Sequence, residues 1–161
     1  MNAPNFGEMF MAAKSGQISY RDRTLVLSDS VPAQLGQRFS VTIESTNARF
    51  PQGVGVSTDV AVFGEAVPRA VVWEYFSVPP AERTFRRSQL PFMFEVECRS
   101  PTGELSFYNM AELDGGKQSW WHGGSCMWVE PIAHGRRYHC NDFELDDDFD
   151  DIIFTVTWRD A

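Results

Sequence analysis

IIFTVTWR, residues 152–159, is the stretch that decides the fold of this chain. Apolar and polar side chains alternate along it, and this period of two is the spacing of the two faces of a β-strand. The same alternation recurs in FSVTIE at 39–44 and in FMFEVECR at 92–99. We therefore predict three strands with one buried face each. The residues expected on those buried faces are Phe39, Val41, Ile43, Phe92, Phe94, Val96, Phe154, Val156 and Trp158.

Shorter strand candidates occupy much of the remaining chain, separated by turn signals such as ARFPQGVG at 48–55. These candidates are Ile18–Leu27, Asp59–Phe63, Ala70–Phe76, Glu104–Met110 and Ser119–Val129. No helical run is long enough to connect parallel strands. The pattern predicts an all-β fold, an antiparallel β-sandwich or jelly roll, in a single domain over residues 1–161. Residues 1–16 are expected to form an N-terminal arm or a short helix, because the apolar residues of FGEMFMAAK at 6–14 have helical spacing.

A strongly acidic segment, NDFELDDDFDD at 141–151, comes immediately before the last strand. The whole chain has 14 Lys and Arg against 22 Asp and Glu, a net charge of −8; without the seven acids of this segment the balance is 14 − 15 = −1. Carboxylates this close together repel each other unless they are solvated or neutralised by a cation. The segment is therefore either a solvated loop that protects a sheet edge or a cation site.

Calcium is the cation that the acidic segment favours, because Ca²⁺ takes about six to eight oxygen ligands and alternate acids on a loop can supply several. We expect Asp146, Asp148 and Asp151 to contribute most of the ligands. Phe149 is expected to anchor the loop to the core. The full set of candidate metal ligands is Asp142, Asp146, Asp148, Asp150 and Asp151.

The same segment resembles the closing hairpin of a group of bacterial calcium-binding β-sandwich domains found in exported and adhesive proteins. Those domains read E-D-L, a short gap, D-x-D-[FY]-N-D and then an apolar strand; here NDF at 141–143 and DDDFDD at 146–151 precede IIFTV. Asn141 stands where that motif has Glu, and Asp150 where it has Asn. Residues 141–156 are also loosely similar to the calcium loop before the last strand of calcium-dependent galactose-binding bacterial lectins. The resemblance implies a calcium-binding sandwich.

All three histidines and two of the three cysteines lie close together in the sequence, at His122, Cys126, His134, His139 and Cys140. Imidazole and thiolate groups suit Zn²⁺, but the spacings H-x3-C and H-x4-H-C match no standard zinc module. Adjacent strand residues also face opposite sides, which separates His139 from Cys140. We therefore expect no zinc site, and reduced, partly buried cysteines. Cys126, His139 and Asp142 can be written as a nucleophilic series, but no G-x-S-x-G motif accompanies them, and we expect no enzymatic activity.

The segment WWHGGSCMW at 120–128 places three tryptophans around a Gly-Gly pair, which is typical of a strand–turn–strand or a bulged loop. Exposed aromatic rings stack on sugars and anchor protein interfaces, whereas buried ones only fill the core. Both interpretations stay open for these rings. The candidate ligand-binding residues are Trp120, Trp121, His122 and Trp128.

Several partner classes are excluded by the sequence. The basic doublets 86–87 and 136–137 are too small to predict nucleic-acid binding, and no Walker or G-x-G-x-x-G motif indicates a nucleotide cofactor. No apolar run is long enough to span a membrane, and no ordinary secretory signal is visible. The protein is predicted to be cytoplasmic, or exported by a route without a classical signal peptide.

Two classes of function remain. The first is a non-enzymatic binding module that is calcium-dependent and recognises carbohydrate. The second is an acidic intracellular interaction protein with a basic protein partner, such as a toxin-immunity protein, or a structural subunit of a phage or injection machine. Self-association into a homo-oligomer is left open. Loss of ligand on chelation of calcium separates the first class from the second.

Overall fold

β-Strands dominate the computed structural model, which describes residues 4–73, 90–113 and 123–159 together with the backbone of residues 84–86 and 118–119. The all-β prediction is confirmed. Over these ranges no helix is long and apolar enough to cross a membrane. The elements are α1 (Phe6–Ala13), β1 (Gln17–Tyr20), β2 (Arg23–Val26), β3 (Asp29–Pro32), β4 (Arg38–Thr46), β5 (Gln52–Val62), β6 (Glu65–Trp73), β7 (Thr84–Arg86), β8 (Phe92–Cys98), β9 (Glu104–Glu112), β10 (Gln118–Ser119), β11 (Cys126–Ile132), β12 (Gly135–Asn141) and β13 (Ile152–Trp158).

The strands form a curled sheet in the order β1-β2-β11-β12-β13-β4-β8-β5-β6-β7, and β9 pairs with β5, β3 and β10. The pairings are antiparallel except for β6 with β7, which is parallel. Strand β5 makes the corner: its residues 52–57 pair with β9, whereas its residues 60–62 pair with β8. The register of β5 shifts between Ser57 and Val60, at the point where it changes partner. This bend lets one strand belong to two layers, as strands at the corners of sandwiches do.

The main core lies between the two layers and contains the residues that the alternating stretches predict. Seven of the nine predicted positions are buried: Phe39, Val41, Ile43, Phe94, Val96, Phe154 and Val156. The other two, Phe92 and Trp158, are half-buried and pack against the edge of the same core. The two exceptions lie at a strand end, where the core meets solvent.

The turn predicted over 48–55 is wrong in its second half, because β5 already begins at Gln52. The glycines of this stretch make room for aromatic rings. A Cβ added to Gly55 would lie 2.1 Å from Cε2 of Tyr108, on the neighbouring strand β9. Glycine is therefore required here for close packing inside a strand rather than for a turn.

The predicted N-terminal helix is confirmed as α1, and Asn5 caps it by accepting a hydrogen bond from the Glu8 N–H at 3.1 Å. The stretch 18–27, predicted as one strand, is instead the hairpin β1–β2, which turns at Arg21 and Asp22 with φ values of 46° and 60°. We call residues 4–27 the N-terminal unit. Its buried side chains Phe6, Phe10 and Leu25 lie in a second hydrophobic cluster next to the acidic segment, whereas Val26 belongs to the main core.

Candidate metal centre

The acidic loop, residues 142–151, connects β12 to β13, which are neighbours in the sheet. Cys140 pairs with Ile152, and the Asp151 N–H donates to the Cys140 carbonyl at 3.1 Å. The two ends of the loop are therefore fixed beside each other. The chain between them must turn back on itself over a short span, which brings its side chains together.

Asn141, the last residue of β12, organises the inside of the loop. Its side-chain Oδ1 accepts from the Phe149 N–H at 2.8 Å, and its Nδ2 donates to the Asp146 carbonyl at 2.8 Å. Asn109 on β9 in turn donates to the Asn141 carbonyl at 2.7 Å. Asn141 is fully buried. Its side-chain amide ties the two sides of the loop together, and its main-chain carbonyl ties the loop to β9 in the second layer.

Asp142 is buried, with 1% of its surface exposed, and its hydrogen bonds hold the loop in place. Its Oδ2 accepts from Gln52 Nε2 at 3.0 Å and its Oδ1 from the Glu144 N–H at 2.9 Å. Burial raises the pKa of this carboxyl, and the two hydrogen bonds oppose that rise. Because both oxygens already have protein donors, the geometry gives Asp142 a positioning role rather than that of a primary ligand.

Three carboxylates converge in the loop. They belong to Asp146, Asp148 and Asp151, the three residues that the sequence favours as main ligands. One oxygen from each lies within 4.8 Å of the others. Asp151 is buried, with 4% of its surface exposed, Asp146 is half-buried and Asp148 is exposed. The group is thus closed on the protein side and open to solvent at Asp148.

The electrostatics of this group disfavour three negative charges. The pKa of Asp148 rises to about 6 and that of Asp151 to about 8, first because burial penalises the charged form and then because neighbouring carboxylates repel. Burial also raises the pKa of Asp146. Within the described residues, none of the three pairs with a basic side chain, since the ion pairs of this loop go to Asp147 and Glu144. Acidic groups are therefore concentrated here, and no basic side chain in the described part of the chain offsets them.

Two buried oxygens in the same loop also lack partners. Asp146 Oδ1 and Asp150 Oδ1 are inaccessible and accept no hydrogen bond from any described residue. Asp150 directs its other oxygen, Oδ2, to Asn47 Nδ2 at 2.9 Å, beyond the end of β4. Asp150 is therefore in the loop but outside the group of three. Unpartnered buried oxygens call for a ligand, an ion or a water.

The residues between the converging carboxylates contact the N-terminal unit. Asp147 Oδ2 accepts from Tyr20 Oη at 3.0 Å and pairs with Arg21 at 2.8 Å. Phe149 is buried in the second hydrophobic cluster against Phe6, with their ring centroids 5.7 Å apart. It does anchor the loop, although to this second cluster and not to the main core, and it adopts a φ of 55° to do so.

Of the candidate ligand-binding residues, Trp128 is described, whereas Trp120, Trp121 and His122 lie outside the described residues. The half-buried Trp128 ring stacks on His139 at 4.0 Å, and the Arg23 guanidinium lies over it at 4.5 Å. These residues come from the strands on either side of β11, so they cover opposite faces of the indole. A sugar that stacked on Trp128 would have to displace the Arg23 side chain.

The described members of the histidine–cysteine set do not converge. Cys126 lies in the second cluster and Cys140 in the main core, on opposite faces of the sheet. His134 lies in the turn between β11 and β12, and His139 Nε2 bonds Glu130 at 2.9 Å. The Cys126–His139–Asp142 series is not assembled either, because each side chain bonds another group and burial raises the pKa of the Cys126 thiol well above its usual range.

Four side-chain amides that hold the loop were not predicted from the sequence: Asn47, Gln52, Asn109 and Asn141. Only Asn141 has a local signal, since it begins the acidic segment. The other three come from strands or strand ends that are distant in sequence, and Gln52 lies in a stretch predicted as a turn. Their role follows from strand order, which a single sequence does not reveal.

No protein-family model matches the chain, and no curated protein matches it.

Proposed function

We propose that this protein is a non-enzymatic binding module whose acidic loop holds Ca²⁺ through Asp146, Asp148 and Asp151. The observation that carries the proposal is the approach of these three carboxylates within 4.8 Å of one another without a basic partner among the described residues. Burial first, and then repulsion between the carboxylates, raises the pKa values of all three, so the site favours a positive species that can enter it. A bound cation supplies that species at neutral pH.

Calcium fits this donor set better than other common divalent ions. All the donors are oxygens, whereas zinc prefers imidazole and thiolate groups. The exposed side at Asp148 leaves room for water or ligand oxygens, and Ca²⁺ accepts the irregular geometry of a loop more readily than Mg²⁺, which demands a near-octahedral shell. Asp146 also has a buried oxygen, Oδ1, that accepts no hydrogen bond from the described residues.

Carbohydrate is the ligand class that we assign to this module. The candidate aromatic segment, residues 120–122, runs into Gly123 and Gly124, and the Gly124 N–H donates to the Phe143 carbonyl at 3.0 Å. A Cβ on Gly124 would lie 2.1 Å from the Glu144 carbonyl, so the two backbones are in close contact. An ion that fixes the acidic loop therefore also fixes Gly124, which follows the aromatic segment in the sequence, and we expect sugar binding to depend on calcium.

Titration calorimetry with CaCl₂ followed by a glycan array in calcium or in EDTA tests this proposal. We expect heat from one bound Ca²⁺ per chain and glycan binding that disappears in EDTA. No heat at millimolar calcium would remove the metal site. Glycan binding that is the same in both buffers would remove the calcium dependence. Calcium-insensitive capture of a basic protein would instead favour the acidic interaction protein.

A further inference from the structure

The N-terminal unit is attached to the sheet by few backbone contacts. Strand β1 pairs with β2, and β2 pairs with β11 at two positions, Val26 with Met127 and Leu25 with Trp128. By comparison, β11 pairs with β12 along the whole of both strands. Pairing alone therefore holds this unit weakly, and its position depends on side-chain contacts.

Those side-chain contacts come from two places outside the unit. The second hydrophobic cluster combines side chains of α1, β1 and β2 with Cys126 and Trp128 of β11 and with Phe149 of the acidic loop. Phe149 is 3% exposed and contacts Phe6 of α1. Of the two buried side chains that the cluster gains from outside the unit, Cys126 and Phe149, the loop thus supplies one.

The loop also provides the polar contacts of the unit. Asp147 bonds both Tyr20 and Arg21 in the β1–β2 turn. Asp147 and Phe149 alternate with Asp146 and Asp148, so one short stretch presents carboxylates to the ion site and contacts to the N-terminal unit. Moving either side of this stretch moves the other.

A third contact joins the helix to the same place. The Gly7 N–H of α1 donates to the Gly123 carbonyl at 2.8 Å, and the next residue, Gly124, bonds the Phe143 carbonyl of the loop. The start of α1, the Gly123–Gly124 pair and the acidic loop therefore meet at one point.

From these contacts we infer that the calcium ion controls the packing of the N-terminal unit, which is held against β11 when the ion is bound and released when it is removed. The inference rests on the proposed calcium site. Without the ion, mutual repulsion of the carboxylates opens the loop and withdraws Phe149 and Asp147 from their partners. The released state exposes the face of β11 around Cys126 and frees Gly123 from its contact with α1.

The three cysteines report this release directly. Cys126 is fully buried under the N-terminal unit, whereas Cys98 and Cys140 are fully buried in the main core. The wild-type protein is treated with a thiol-alkylating reagent in calcium and in EDTA, and each cysteine is quantified by peptide mass spectrometry. We expect alkylation of Cys126 to be at least about tenfold faster in EDTA, a ratio within the usual range of coupling between sites, while Cys98 and Cys140 stay protected in both buffers.

A pair of helix variants tests the same coupling from the other side. Phe10 is a buried α1 residue of the second cluster, and Met11 next to it is 67% exposed. Coupling is reciprocal, so Phe10→Ala, which loosens the unit, should weaken calcium affinity, whereas Met11→Ala should leave it unchanged. Protection of Cys98 and Cys140 in Phe10→Ala verifies that the main core remains folded.

The outcomes separate this inference from the proposed function. No calorimetric heat with calcium would overturn both. Calcium heat together with equally slow alkylation of Cys126 in the two buffers would overturn the control of packing and leave the metal site intact. Equal, rapid alkylation of all three cysteines in EDTA would also overturn it, because the response would then be global unfolding.

Discussion

Neutralising one carboxylate of the group should change stability in opposite directions with and without calcium. Asp148→Asn is the most informative change, because Asp148 is exposed and an amide has almost the same shape as a carboxylate. The matched control is Asp147→Asn, one residue away, whose side chain contacts Tyr20 and Arg21 instead of the group of three.

The expected size of the effect follows from the spacing. Two carboxylates 4.8 Å apart repel by ~0.9 kcal/mol in bulk water and ~3.5 kcal/mol at an effective dielectric of about 20. Asp148 takes part in two of the three pairs and is exposed, so the lower value applies to each. In EDTA at about pH 9, above the pKa values of Asp148 and Asp151, all three carboxylates are ionised, and Asp148→Asn should therefore raise the free energy of unfolding by about 2 kcal/mol.

In calcium the sign reverses. An ion at one hundred times its dissociation constant stabilises the folded state by about 2.7 kcal/mol, which for a domain of this size raises the Tm by roughly 5–10 °C. Asp148→Asn should lose most of this increment, whereas Asp147→Asn, which loses only exposed contacts to the N-terminal unit, should keep most of it. The exposed pair that the control removes contributes less than about 1 kcal/mol.

Thermal melts of the three proteins in EDTA and in a calcium series measure both effects. If Asp148→Asn were less stable than wild type in EDTA, mutual repulsion of the carboxylates would not govern the stability of the calcium-free loop. If its calcium increment equalled that of the wild type, Asp148 would not be a ligand.

Three further predictions concern stability. The folded-state pKa values of Asp148, about 6, and Asp151, about 8, lie above the ordinary value of 3.8, so these two groups stabilise the calcium-free protein most below pH 4, and this stabilisation should be lost as pH rises to 8. Urea unfolding at a series of pH values, in EDTA and in calcium, measures this loss of stability and whether calcium abolishes it, and a stability that did not change with pH in EDTA would contradict the prediction. Gly55→Ala should destabilise by about 1–3 kcal/mol or more, because its Cβ meets Tyr108, while Gly16→Ala, which has nothing within 4 Å, should be near neutral in the same urea titration. Phe149→Ala should lower the free energy of unfolding by about 3 kcal/mol and weaken calcium binding in calorimetry, and unchanged calcium affinity would argue against its anchoring of the loop.

The strands and their buried faces could be predicted because they depend on a local period of two. The stretches beginning at Phe39, Phe92 and Ile152 each carry that period without interruption, and their burial follows it. The first half of β5, residues 52–57, could not be predicted in the same way, whereas its C-terminal end overlaps the strand predicted at 59–63. Gly55 carries a turn signal when read locally, and its reason for being glycine, the ring of Tyr108, lies on another strand.

In the candidate site, too, the features that depend on local sequence could be predicted and those that depend on long-range contacts could not. The convergence of Asp146, Asp148 and Asp151 follows from a short loop whose ends are fixed by neighbouring strands, and the local spacing of acids indicates it. The positioning roles of Asn141 and Gln52 depend on which strands lie together, and the second hydrophobic cluster depends on where α1 packs. These relations are long-range, and no local pattern encodes them.

A crystal structure determined from crystals grown in millimolar calcium chloride tests the central claim most directly. We predict an anomalous peak from a Ca²⁺ ion that is coordinated by carboxylate oxygens of Asp146, Asp148 and Asp151 at Ca–O distances of about 2.3–2.6 Å. Three solvated carboxylates without a peak, or an ion held elsewhere in the loop, would contradict the account.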